Sequence, residues 1–276
     1  MNGSTPILFD RSLLAARLHR AAALGPASFL LDRVADEIDE RLHTVLRDFT
    51  AVADLWTPGT LNLPRFPNCA HIAIDLSGSE ALPFAPGSLD LVVSALALQF
   101  ANDLPGVLAQ LRRALKPDGL LLAALTGGDT LTELRQAFAA AEAEIEGGMS
   151  PRVAPAADLR DLGALLQRAG FALPVTDVDR VVVRYDHAFA LMQDLRRMGA
   201  TNVLIERRRT PLRRATLTRL AQIYADRFGD PDGRIRATFE IVWLSGWSPH
   251  ESQQQPLKPG SAKASLEQAV KRNLPK

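Results

Sequence analysis

Apolar residues along this chain first recur at helical steps, then gather into short unbroken runs, then alternate between the two habits. Residues 9–24 and 28–47 carry the helical rhythm. In the second stretch Leu30, Leu31, Val34, Ile38, Leu42 and Leu46 fall three or four apart and leave charges on the other face. Gly25-Pro26 separates the two. Residues 50–55, 71–76, 89–95 and 120–125 are short apolar runs bounded by turn residues, as strands covered on both faces require. Between the last two, residues 102–119 predict a helix capped by Asp103, with Pro105 in its first turn. Leu104, Val107, Leu108, Leu111 and Leu115 form its buried stripe, and Pro117-Asp118-Gly119 ends it in a tight turn. Strand, helix and strand at this spacing make a βαβ unit.

Beyond residue 125, Thr130 and Glu133 have the spacing of a capping box. They predict a helix from Leu131 that Gly147-Gly148 stops. Residues 157–169 read as a helix closed by Gly170, 175–184 as a strand, 187–228 as mostly helical and 237–244 as a strand. This alternation predicts an α/β protein with an open, doubly wound, mostly parallel Rossmann-like sheet. The expected organisation is a helical N-terminal segment over residues 1–48 and a sheet domain over 49–251. A helical insertion at about 187–228 precedes the last strand, and a polar tail covers 252–276.

In such sheets the ligand crevice lies beyond the carboxyl ends of the strands, and four places meet that condition. The run VADLWTPGTL leads from a strand through Asp54 into a turn at Pro58-Gly59, where a glycine loop would let backbone N–H groups approach a ligand. An ordinary strand-to-loop turn explains it equally well. Asp75, followed by Leu76, stands 21 residues after Asp54, where an acid can bind a ribose hydroxyl pair or simply cap a turn. Ser94 to Asp103 leaves the strand 89–95, and Thr126-Gly127-Gly128-Asp129-Thr130 leaves the strand 120–125. The last has two glycines and an acid beyond what capping needs, which points to a substrate-facing role for Gly127, Gly128 and Asp129.

Composition mainly excludes. A formal net charge of +1 gives no global pull toward nucleic acid or an anionic surface. One cysteine, Cys69, rules out an internal disulfide framework and a cysteine zinc site, and the five histidines show no metal-binding spacing. No apolar run approaches the roughly 20 residues that span a bilayer. The opening MNGSTPILFDRS lacks the basic-then-apolar pattern of a secretory signal, so a cytoplasmic location is expected. The run 206–214 packs five arginines into eight positions. It reads as a solvated helix end or loop, with docking on an acidic protein or peripheral membrane contact as the second reading. Nucleic-acid binding is not expected, because no aromatic residues interleave with the arginines.

Residues 82–125, with L-P-F, L-D-L-V-V-S and L-K-P-D-G, resemble the middle of class I S-adenosylmethionine-dependent methyltransferases. The continuation through LTGGDTLTELRQAF, EGGMSPRVAP, DLGALLQRAGF and FEIVWLSGWSPHESQQQPLKPGSA, with FDRSLLAARLHRAA near the start, is similar to one branch. That branch is the respiratory complex I assembly factors with a methyltransferase fold. The resemblance implies a seven-stranded sheet binding S-adenosylmethionine. It also implies a protein substrate, an arginine of a complex I subunit, acted on by hydroxylation rather than simple methyl transfer. The malonyl-carrier-protein methyltransferases resemble it more distantly. On this resemblance the cofactor would meet Asp54, Thr57, Gly59, Asp75, Leu76, Ser94 and Gln99, and the acceptor would meet Gly127, Gly128 and Asp129. The family's glycine pattern departs here: Trp56 and Pro58 stand where small residues are usual, Gln99 replaces a histidine, and the segment from Asp54 to Leu82 is short. A binding protein that has lost the cofactor site, and a small-molecule or carrier-protein methyltransferase, are the alternatives.

Overall fold

The computed structural model describes residues 7–59, 61, 63–73 and 79–254. Two helices, α1 (Arg11–Ala23) and α2 (Phe29–His43), lead into the strands β1 (Val52–Leu55), β2 (Ala70–Ile72) and β3 (Leu89–Ala95). Then come α3 (Leu104–Ala114), β4 (Leu115–Thr126), α4 (Thr132–Glu146), α5 (Leu159–Arg168) and β5 (Ala172–Tyr185). Helices α6 (Ala188–Arg197) and α7 (Arg214–Phe228) follow, and β6 (Ile235–Trp247) closes the sheet. The spatial order is β2-β1-β3-β4-β6-β5. β1 pairs in parallel with β2 and β3, as β3 does with β4, while β6 runs antiparallel to β4 and β5.

The apolar runs do what their pattern requires. Leu91, Val93 and Ala95 of β3 and Leu120, Leu122 and Ala124 of β4 join the cluster built with α2, α4, α6 and α7. Val92, Leu121, Ala123 and Leu125 turn the other way, into the cluster built with α3 and α5. Alternate residues of each strand therefore bury on opposite faces, so both faces are dry. Helices α6 and α7 occupy the connection between β5 and β6, and α7 joins α4 in the first cluster.

Several expectations need correction. The sheet has six strands among the described residues, not seven. Only the three-residue β2, and no helix, lies between β1 and β3 among the described residues. Leu46 does not join the α2 stripe: the helix ends at His43 and Leu46 is 99% exposed. Pro117-Asp118-Gly119 does not end α3 in a tight turn. The helix runs straight into β4, and the ladder steps from Leu89 opposite Leu115 to Leu91 opposite Leu120, so the intervening residues bulge. Asp118 takes φ +67°; its N–H donates to Ser248 O (3.0 Å) and Ser248 N–H donates to Gly119 O (2.8 Å).

The capping box is also absent. Helix α4 starts at Thr132 behind Leu131, which sits at φ +55° without a side-chain cap. Thr130 Oγ1 instead exchanges bonds with the backbone of Glu240, and the buried Glu133 carboxylate accepts from Thr238 N–H (3.0 Å) and Oγ1 (2.5 Å). Both residues stitch α4 to β6. The outer strand β5 alternates exposed apolar residues with charges: Val175 and Val182 stand beside Asp177, Asp179, Arg180 and Arg184. Those charges pair outward, Asp179 with Arg33 (2.7 Å) and Arg184 with Asp230 (2.8 Å) among them.

Candidate functional site

The parallel strands end together, and a cavity of about 780 Å³ opens where they do. Pro58 and Gly59 beyond β1, Leu96, Gln99 and Phe100 beyond β3, and Thr126 and Gly127 at the end of β4 form one wall. Helix α1, the end of α6 and residues 198–209 form another. A volume of this size is ordinary for a small-molecule site, and its position matches the crevice rule for open α/β sheets.

Asp54, the last residue but one of β1, is almost fully buried. Both carboxylate oxygens are engaged: Thr57 Oγ1 donates to Oδ1, and His71 Nδ1 lies 2.8 Å from Oδ2. Thr57 Oγ1 also accepts from Ala95 N–H (3.0 Å), and Ser94 Oγ donates to Leu55 O (2.8 Å). Asp54, Thr57 and Ser94 thus lock the ends of β1 and β3 together, behind the cavity wall rather than in it. Burial raises the Asp54 carboxyl above the ordinary aspartate range, opposed by the Thr57 and His71 hydrogen bonds. A folded-state pKa above the unfolded value stabilises the fold below the ordinary value, and that contribution is lost as pH rises through the raised one. The stability gap between wild type and Asp54→Asn should therefore move in favour of the variant as pH rises above about 4. Denaturant midpoints measured upward from there check it; a gap that does not change with pH would mean that folding does not raise the carboxyl.

Gly59 and Gln99 do reach the cavity. Gly59 sits at φ +83° with no atom near the position a Cβ would take, so its backbone is open to close approach. Gln99 donates through Nε2 to Leu96 O (2.7 Å), while its buried Oε1 has no hydrogen-bond partner. Trp56 takes the place of the glycine loop's first small residue. It lies at φ +63°, buried, with the Arg11 guanidinium 4.9 Å from its ring centre. Arg11 in turn pairs with Glu80, whose carboxylate also accepts from Asn102 and Asp103 N–H at 2.7 Å. Asp75 and Leu76 lie outside the described residues.

The turn after β4 divides its labour. Gly127 lines the cavity, and its N–H donates to Glu240 O (2.8 Å). A Cβ there would meet Glu240 Oε1 and come within 2.8 Å of both Glu240 Cγ and Val242 Cγ2. Close packing against β6 therefore explains this glycine without any ligand. Gly127→Ala should cost about 1–3 kcal/mol through overpacking, read from its chemical denaturation. Gly128→Ala, with nothing within 4 Å, should be near neutral, and equal effects would contradict the packing account. Asp129 is half-exposed, does not line the cavity, and pairs with Arg180, which also meets Glu240 Oε2 at 3.1 Å.

Sequence reasoning overlooked two parts of the site. His71 was read only for metal spacing, yet it neighbours Asp54 across a strand pair. The arginine run was read as solvated, yet Arg207, Arg208 and Arg209 line the cavity. Arg207 is drawn in by Asp10 (3.2 Å) and Arg208 by Glu146 (3.0 Å). Among the described residues no cluster of three or more His, Cys, Asp or Glu side chains could hold a metal ion, and no helix is long and apolar enough to cross a membrane.

Comparison with known proteins places these features in a family. Residues 62–123 match the family described as "Methyltransferase domain". The arginine-hydroxylase NDUFAF5, mitochondrial, of Mus musculus is 44% identical over 96% of this chain and 84% of its own. Its namesake from Danio rerio is 38% identical over 94% and 88%. The malonyl-[acyl-carrier protein] O-methyltransferase of Laribacter hongkongensis is 36% identical over 91% and 94%. The cytoplasmic location expected from the N-terminal residues is overturned by these comparisons, since the animal relatives are named as mitochondrial. Identity of this extent, end to end, shows that the chain belongs to the complex I assembly factor branch of the S-adenosylmethionine-dependent methyltransferase superfamily, beside the arginine-hydroxylase NDUFAF5 proteins.

Proposed function

We propose that this chain binds S-adenosylmethionine in the strand-end cavity, modifies an arginine side chain of a respiratory complex I subunit and so assists assembly of that complex. The observation that carries the reading is the cavity itself, in a chain matched over 96% of its length by an arginine hydroxylase. The residues present fit the cofactor at this wall. The open backbone of Gly59 admits its amino-acid end, and the orphaned Gln99 Oε1 can accept from its amino group or a hydroxyl. Where the modification is methyl transfer, bound S-adenosylmethionine would supply a sulfonium-activated carbon, and the chain's own task would be orientation rather than acid–base chemistry. Asp54 acts at one remove, holding Thr57 and the β1–β3 junction in place. On the acceptor side Gly127 shapes the wall, and beside the cavity the half-exposed Asp129 offers a carboxylate on which an incoming guanidinium exchanges with Arg180.

A second reading is a binding protein that assists assembly without a cofactor. It is favoured by Trp56 in the glycine's place and by the two engaged oxygens of Asp54. Titration calorimetry with S-adenosylmethionine and S-adenosylhomocysteine at about 1 mM separates the two, since metabolite-binding sites are half-filled at or below that range. Heat that disappears in Gly59→Trp supports the cofactor reading; no heat from either compound leaves the second.

A further inference from the structure

The cavity's second wall carries chemistry that the cofactor reading does not use. Among the described residues seven arginines line the cavity and no aspartate or glutamate does. Four of the seven have partners. Arg152 is held by Glu142, Arg197 by Gly25 O and Asp194, Arg207 by Asp10 and Arg208 by Glu146. The side chains of Arg17, Arg196 and Arg209 have no hydrogen-bond or ion-pair partner among the described residues. Arg17 Nε is buried without an acceptor, and so are Nε and Nη2 of Arg20, one helical turn further along α1. Burial and the neighbouring charges of Arg20, Arg207 and Arg196 all press the Arg17 guanidinium toward losing its proton. Apolar side chains including Leu13, Leu18 and Phe9 cover the rest of this wall.

Like charges gathered on a half-buried, largely apolar wall cost stability unless something neutralises them. We infer that Arg17, with Arg196 and Arg207, forms an oxyanion subsite for a small ligand with an apolar body and a carboxylate or phosphate head. Charge complementarity selects the head and the apolar wall selects the body. Such an anion would also neutralise the wall that a cationic acceptor approaches, but the inference does not rest on the proposed reaction. A failure of cofactor binding leaves it standing.

The test is titration calorimetry of the full chain with octyl phosphate, octanoate, octylammonium and inorganic phosphate. One or both of the octyl oxyanions should bind, and the tighter one names the head group. Octylammonium should give no heat, and inorganic phosphate should bind at least about tenfold more weakly because it lacks the apolar body. Arg17→Gln should weaken the oxyanion at least about tenfold, the scale of one hydrogen bond to a charged group, while the exposed Arg160→Gln leaves it unchanged. Arg17→Gln should also raise the melting temperature in anion-free buffer, whereas a purely structural arginine would lower it on removal. Equal binding of octylammonium, undiminished affinity in Arg17→Gln, or a lowered melting temperature would each overturn the subsite. Competition by S-adenosylhomocysteine would overturn it as well, because the arginines would then be holding that compound's own carboxylate.

Discussion

Glu142→Ala should destabilise the fold by about 3–5 kcal/mol, a large part of the roughly 5–15 kcal/mol that holds a domain together. The carboxylate has no solvent exposure. Its Oε1 accepts from Arg152 Nε (2.7 Å) and Nη2, and its Oε2 accepts from Ser150 N–H (2.8 Å) and Oγ (2.9 Å). Removing it strands a guanidinium whose side chain is only 12% exposed, lying 5.7 Å from the centre of the Phe138 ring. The same carboxylate ties helix α4 to the segment that carries Arg152, Val153 and Ala154 into the cavity wall, so the cavity should loosen with the fold. A urea midpoint measures the loss. The double variant Glu142→Leu/Arg152→Met removes both charges together and should recover most of it, since a buried pair is costly mainly when one partner is left behind. If the double variant is as unstable as the single one, the stranded charge is not the cause.

Trp56→Gly should cost about 1–4 kcal/mol net, the balance of two opposed effects. Losing a buried indole costs about 3–5 kcal/mol and takes the ring from beneath Arg11. Against this, glycine relieves a left-handed backbone at φ +63° that costs an L-residue about 1–2 kcal/mol. Trp56→Ala loses the ring and keeps the strain, so it should be the less stable of the two. Alanine proving more stable than glycine at this position would refute the strain. The pair also bears on function, because opening the place of the missing glycine should tighten S-adenosylmethionine binding if the indole is an obstruction.

Much of the architecture could be read from the sequence because its cause is local. Val107, Leu108 and Leu111 recur at helical steps and are buried on α3, and the Asp103 carboxylate accepts from Gly106 N–H (3.0 Å) as a cap. The runs 89–95 and 120–125 are apolar at every step because alternate residues serve opposite faces. Failures occurred where a residue found its partner far along the chain. Thr130 and Glu133 have the right spacing to cap a helix, yet Glu240 and Thr238 claim them from more than a hundred residues away. The glycine at 127 reads in the sequence as substrate-facing, whereas the group packed against it is Glu240 of β6. The arginine run carried no local sign of burial, because Asp10 and Glu146 are what fold it against the cavity. Asp54 was legible as the acid closing the first strand, whereas its partner His71 became visible only once β1 and β2 were paired.

The two margins of the sheet are closed to recruitment in different ways. On one side β2 offers three residues among those described, too few to template a neighbouring chain. On the other, β5 runs for fourteen residues and exposes Val175 and Val182, the kind of rim on which cross-β stacking starts. Asp177, Asp179, Arg180 and Arg184 interrupt it as gatekeepers, since a second copy docking there would have to strip water from each of them. Neutralising those four charges together would leave the sheet with a fibril-forming edge.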